Sequence, residues 1–229
     1  MEPESSPFTP GQPAPIEYFV GRITEIQTLA GLAKTAAKGK LKLAFTTGER
    51  GIGKSSLLSF VRHLVDRENK MASAHVFLGG TKNLEGFVEE IFTKVLRDNI
   101  DKPWYNKLID FFGKRVKQVG LFGITVALQL TDQDKQDLVK NFVPSIRELI
   151  KQLPDGKGLL IVLDDINGLA SSLDFANWIK SVVDEIATSS TPIPLCIIIV
   201  GTEDRKQSLF SLQPSLARIF DPIDPTPKS

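Results

Sequence analysis

The chain has 229 residues, 41% hydrophobic and 24% charged, with a formal net charge of +1. That length supports one sizeable α/β domain, and so small a charge excludes any whole-domain electrostatic argument for nucleic acid. A lone cysteine, Cys196, excludes an intrachain disulfide, no run reaches the roughly 20 apolar residues of a membrane span, and no signal peptide is visible, so a cytoplasmic protein with no membrane partner is expected.

Residues 1–17 are rich in proline and are expected to form an extended N-terminal arm, with a disordered tail as the alternative. Tyr18-Phe19-Val20-Gly21-Arg22 precedes a helix marked by Ile23, Ile26, Leu29 and Leu32, with Thr24 near its start. Residues 41–47 read as a strand running into a glycine-rich loop. Residues 56–68 follow as a helix, then 74–78 as a short strand, then a helix capped by Asn83 and carrying Phe87, Ile91 and Val95. Residues 101–133 read as an insertion, helical over 104–119 and strand-like over 121–130, with Gly120 and Gly123 as punctuation. Its aromatics Trp104, Tyr105, Phe111 and Phe112 suit a local core, or alternatively a partner surface. Residues 134–153 form an amphipathic helix that Pro144 should kink or break.

Residues 159–163 and 195–200 are continuous apolar runs, as in strands buried on both faces of a parallel sheet, with a helix at 174–188 between them. Cys196 lies inside the second run and reads as a core residue. His63 and His75 show no metal spacing and read as structural. The alternation of strand and helix predicts a doubly wound α/β domain with helices on both faces.

Gly48-Glu49-Arg50-Gly51-Ile52-Gly53-Lys54-Ser55, followed by Ser56, fits a phosphate-binding loop between a strand and a helix. Glycines let backbone N–H groups approach phosphate, and the helix start turns its positive end toward the same anion. Lys54 is expected on the β- and γ-phosphates and Ser55 on Mg²⁺, with ATP as the nucleotide. Asp164-Asp165 ends an apolar strand at the sheet edge where ligands bind. Asp164 is the expected second Mg²⁺ residue and Asp165 the group that orients the attacking water; a strand-end turn or helix cap is the bland alternative. Thr202 ends the next strand, where it would meet the γ-phosphate or else cap the following helix. Arg22, Arg50, Arg205 and Arg218 are the candidate cations for transition-state charge, Arg218 foremost, as a finger acting in trans.

With those residues assembled, the chain resembles an AAA-type P-loop ATPase of the group bridging STAND signalling NTPases and Orc/Cdc6-like proteins. Val20-Gly21-Arg22 resembles the family's VGR box near adenine and phosphates, and the Pro-Phe-Thr-Pro-Gly stretch at 7–11 resembles the arm before it. Residues 48–55 match Walker A, 159–165 resemble Walker B, and 197–202 resemble the sensor 1 strand. The resemblance implies a mainly parallel five-stranded sheet in the order 5-1-4-3-2, ATP or ADP with Mg²⁺, nucleotide-dependent homo-oligomers in the intact protein, and a protein or nucleic-acid partner. Two departures stand out. Walker B ends in Asp-Asp rather than the usual Asp-Glu, which is similar to STAND switches, and a helical lid with its sensor 2 arginine is expected after the domain at 18–229 but absent.

Two functions compete: an ATPase core that remodels or loads a partner, and a signalling switch with slow hydrolysis. A small-molecule phosphotransferase fits neither the VGR box nor Asp164-Asp165, and a nucleic-acid module draws no support from the net charge.

Overall fold

Side chains alternate across a β-strand, so a strand apolar at every position needs cover on both faces. The computed structural model provides that cover as an α/β sandwich, and it describes residues 21–68, 71–119, 125–154 and 157–223. The arm at 1–17, residues 18–20, Gly120, Gly123 and the segment after Ile223 lie outside the described residues.

In chain order the elements are α1 (Ile23–Ala36), β1 (Lys42–Thr46), α2 (Lys54–Arg67), β2 (Met71–Phe77), α3 (Leu84–Arg97), α4 (Tyr105–Phe112), β3 (Val116–Val119), β4 (Thr125–Leu128), α5 (Asp132–Lys140), α6 (Phe142–Gln152), β5 (Gly158–Asp164), α7 (Leu173–Thr188), β6 (Leu195–Val200), α8 (Glu203–Leu212) and β7 (Asp221–Ile223). Five strands make the main sheet in the order β2-β5-β6-β1-β7, and every pairing in it is parallel. Counted within that sheet alone the order is 2-3-4-1-5, which is the expected 5-1-4-3-2 read from the other edge. The hairpin β3–β4 only displaces the numbering.

Strand parity sorts the core in two. Leu159, Ile161 and Leu163 of β5 pack with Phe45, Ile197 and the helices α3, α6 and α7. Leu160 and Val162 pack on the opposite face with Ala44 and Cys196, under Leu29 of α1 and Leu57 and Val61 of α2. Asp164 continues the second set and so opens toward α2. His75 is the register partner of Val162 and takes the same side. Cys196 is buried as expected, and burial pushes its thiol up to about 12.

β2 is an edge strand, so its outer backbone groups need partners that no further strand supplies. Asp98, which caps the C-terminus of α3, accepts the His75 N–H at 2.8 Å, and Asn99 Nδ2 donates to the Ser73 carbonyl at 3.1 Å. Arg62 Nη2 at 2.8 Å and Lys94 Nζ at 2.7 Å balance the Asp98 charge.

Two local expectations are corrected. Helix α4 stops at Phe112, where Gly113 turns with φ 55°, and residues 116–119 pair antiparallel with β4 instead of extending the helix. The single helix expected over 134–153 is two helices. A reciprocal Thr131–Asp134 capping box starts α5 early, and α6 begins afresh after Asn141. Pro144 falls in the first turn of α6, where its missing N–H is not required. Thr24 lies near the start of α1 as expected, in its first turn, and the N-cap is Arg22 in the left-handed conformation. The insertion's aromatics join the main core: Phe112 meets Phe92 edge-on at 5.8 Å, and Phe92 meets Phe142 at 6.1 Å.

Candidate nucleotide-binding site

The glycine-rich loop is rooted between both neighbouring strands. Gly201 N donates to the Thr46 carbonyl at 3.1 Å, and Thr47 N donates to the Ile223 carbonyl at 3.0 Å. Helix α2 starts at Lys54, two residues earlier than expected, with Gly53 as a left-handed N-cap at φ 83°. Glycine tolerates that backbone without a Cβ penalty, and it brings no side chain to cap the helix. The positive end of the helix therefore carries no side-chain cap from the residue before it, which suits an anion.

Lys54 Nζ folds back across the loop, donating to the carbonyls of Gly48 at 2.8 Å and Glu49 at 2.7 Å. Burial lowers its pKa, with Asp164 opposing and Arg22 adding to the shift. Arg22 donates through Nη2 to the Ile52 carbonyl, while its Nη1 is buried without a partner. An orphaned guanidinium donor beside a lysine and a helix N-terminus fits a polyphosphate. Glu49, Arg50 and Gly51 are exposed at the tip of the loop, Gly21 is exposed next to Arg22, and Ser56 sits in the first turn of α2.

Ser55 Oγ donates to Asp164 Oδ2 at 2.7 Å, and His75 Nε2 lies 2.9 Å from the same oxygen. Burial works to raise the Asp164 pKa, but hydrogen bonds from His75 and Ser55 outweigh it and leave the carboxyl below its ordinary value. A hydroxyl and a carboxylate are hard oxygen donors that fit Mg²⁺, an ion that keeps waters and phosphate oxygens and needs few protein ligands. Among the described residues no cluster of three His, Cys, Asp or Glu forms a self-sufficient metal cage. A metal that arrives with its phosphates suits that arrangement. His75 is the residue that sequence reasoning passes over. Its signal is a polar side chain of the same parity as Asp164, in the strand beside it. His63 is exposed on α2.

Asp165 is exposed and left-handed at φ 58°, at the start of a short 3-10 turn, Ile166–Gly168. Its carboxylate accepts from Asn167 Nδ2 and faces Gly79, where a Cβ would come within 2.6 Å of Oδ2. Gly168 approaches the Thr81 carbonyl as closely, at 2.2 Å for a Cβ, so the loops after β2 and β5 interlock. Thr202 is the backbone N-cap of α8, yet its hydroxyl makes no capping bond. Glu203 is held below its usual range chiefly by Lys206, against burial, with Gln207 and Thr47 assisting.

Arg205 is half-buried in α8. Arg218 stands apart: it ends the 3-10 turn Pro214–Arg218 just before β7, at the amino edge of a parallel sheet whose carboxyl edge bears the loop. It is exposed and lines an open groove of about 630 Å³ with Lys40, Lys42, Thr191 and Asp221. The structure thus gathers Arg22, the loop, Ser55, Asp164 and Asp165 at one edge and leaves Arg218 at the other. Val20 lies outside the described residues.

A glycine-rich loop between a central parallel strand and a helix, with an acidic strand end against its serine, defines a P-loop nucleotide-binding domain. The sequence profile of the family described as AAA ATPase domain matches residues 18–198, and the chain belongs to that family of ATP-binding ATPase domains. No curated protein sequence matches it. Among solved structures, the Aeropyrum pernix ORC2 protein aligns with a TM-score of 0.55 at 16% identity, over 91% of this chain and 50% of that one. A Walker-type ATPase of Pyrococcus abyssi aligns at 0.54 and 16%, over 93% and 55%. Cdc6p from Pyrobaculum aerophilum aligns at 0.53 and 18%, over 96% and 48%. These likenesses establish the fold, and the chain spans about half the length of these relatives. Among the described residues no helix is long and apolar enough to cross a membrane.

Proposed function

We propose that the domain binds ATP with Mg²⁺ in the cytoplasm and hydrolyses it to drive remodelling or loading of a protein or nucleic-acid partner. The observation that carries this reading is the 2.7 Å contact between Ser55 and Asp164, at the mouth of a loop faced by Lys54, Arg22 and the start of α2. Lys54 takes the β- and γ-phosphates, while Val20, Gly21, Arg22, residues 48–53 and Ser56 surround the nucleotide. Ser55 and Asp164 would hold Mg²⁺, which would supply charge neutralisation at the phosphates. Asp165 orients and polarises the attacking water, and the free hydroxyl of Thr202 contacts the γ-phosphate. Arg218, at the far edge of its own sheet, can serve only a neighbouring copy's nucleotide, which requires a nucleotide-dependent homo-oligomer.

One observation favours the second reading, a STAND-like switch with slow hydrolysis. Asp165 is a short carboxylate engaged by Asn167 and facing Gly79, so it must leave that position to serve a water. Single-turnover hydrolysis measured over rising protein concentration separates the two. A rate that climbs steeply, and is partly restored by mixing Arg218→Ala with Lys54→Ala protein, supports the assembling ATPase. A flat, slow rate without rescue overturns it in favour of the switch.

A further inference from the structure

We infer that His75 is a positioning residue for the Mg²⁺ site: it donates to Asp164 and holds that carboxylate against Ser55. The inference rests on the reading of Ser55 and Asp164 as the metal pair and adds a third residue to it.

Asp164 Oδ2 is shared. Ser55 Oγ lies 2.7 Å from it and His75 Nε2 lies 2.9 Å away. A carboxylate only accepts, so the imidazole must present Nε2 as N–H to make this bond. The packing fixes where the ring lies. It is buried, its plane stacks on Phe77 with centroids 4.4 Å apart and 15° between planes, and its backbone N–H is tied to Asp98 at 2.8 Å. Strand register sets the rest: His75 pairs with Val162, so its side chain leaves the sheet on the face where Asp164 and α2 meet. Buried polar groups on an otherwise apolar face persist when each satisfies the other. Partners that orient a metal-binding carboxylate are worth roughly 10- to 100-fold in metal affinity when removed.

The test uses a near-isosteric pair, His75→Gln and His75→Met, both of which fill the buried space. Gln places an N–H close to the Nε2 position and Met cannot donate. A fluorescent ATP analogue is titrated into each protein with Mg²⁺ and again with EDTA, which reads metal binding through nucleotide affinity and needs no turnover. The expected result is that His75→Met loses roughly tenfold or more of the gain that Mg²⁺ confers, keeps its affinity in EDTA, and that His75→Gln recovers most of the gain. A full Mg²⁺ gain in His75→Met, or an equal fall with and without metal, overturns the role of His75. A wild-type protein with no Mg²⁺ gain overturns the metal site itself, which is a separate failure. Nitrogen NMR on the His63→Gln protein, where His75 is the remaining histidine, gives a check without altering the site: Nε2 must carry a proton, and a neutral ring protonated at Nδ1 refutes the donation.

Discussion

Replacing Lys54 with alanine is the sharpest perturbation of the phosphate loop. In the free protein its ammonium already has two partners, the carbonyls of Gly48 at 2.8 Å and Glu49 at 2.7 Å. On the proposed placement, binding a triphosphate would exchange those neutral acceptors for charged ones. Hydrogen bonds to neutral groups contribute about 0.5–1.5 kcal/mol net and those to charged groups about 1.5–3 kcal/mol. Two such exchanges leave about 2–3 kcal/mol in favour of the complex. That corresponds to roughly 30- to 140-fold in Kd for ATP. A lysine placed on the β- and γ-phosphates would serve ADP as well, so ADP should lose affinity too, whereas AMP should lose little. Calorimetric titration of ATP, ADP and AMP into both proteins reads all three. The carbonyls left behind belong to a half-buried Gly48 and an exposed Glu49 and cost little, so the thermal midpoint should barely move. A change in ATP affinity below about threefold, or an equal loss for AMP, would refute the placement of Lys54 on the terminal phosphates.

Asp98→Ala leaves the mostly buried Arg62 guanidinium without its carboxylate and the His75 N–H without its acceptor, so it should destabilise by about 3 kcal/mol, read as a lower denaturant midpoint. Asp165→Asn keeps the shape and the tolerance of a left-handed backbone but removes the charge; ATP affinity should hold while single-turnover hydrolysis falls by roughly 100-fold or more. The buried Cys196 thiol, pushed up to about 12, keeps its proton in the folded state while the unfolded chain releases it near pH 9, so stability falls as pH rises through that window. The slope is about 1 kcal/mol per pH unit, and urea melts of Cys196→Ala between pH 8 and pH 10 should lose that component.

What could be read from the chain follows how local each requirement is. The loop was legible because each of its features is imposed by its immediate neighbours: glycine where the backbone turns left-handed at Gly53, a cation and a hydroxyl at the helix start. Strands β5 and β6 were legible because double-sided burial leaves unbroken apolar runs. Strands β3 and β4 were harder, since short apolar stretches satisfy helix and strand patterns alike. Whether residues 116–119 extend α4 is settled by their pairing with β4, a tertiary contact invisible in the local pattern. His75 was missed for a related reason. Its partner lies 89 positions away, and only the β2–β5 register tells which face of the strand it occupies.

The edge position of β2 gives these findings a common cause. Central strands receive backbone partners on both sides, but β2 receives them on one, and Asp98 and Asn99 complete the other from the end of α3. The residue so anchored is His75, whose ring bears on Asp164. The strand ends two residues further on at Phe77, and in the loop that follows Gly79 faces the Asp165 carboxylate at close range. Both acidic residues at the end of β5 are therefore bounded on one side by β2 and its loop, rather than by the strand that carries the phosphate loop. A displacement of the edge strand by even an ångström would be felt at Asp164 through a hydrogen bond and at Asp165 through a steric contact, and α2 shares that edge through Arg62, whose guanidinium binds Asp98. Were Ser55 and Asp164 to hold Mg²⁺, changes at Asp98 should therefore reach the metal through His75, read as a smaller gain in nucleotide affinity from Mg²⁺ in titrations with and without EDTA.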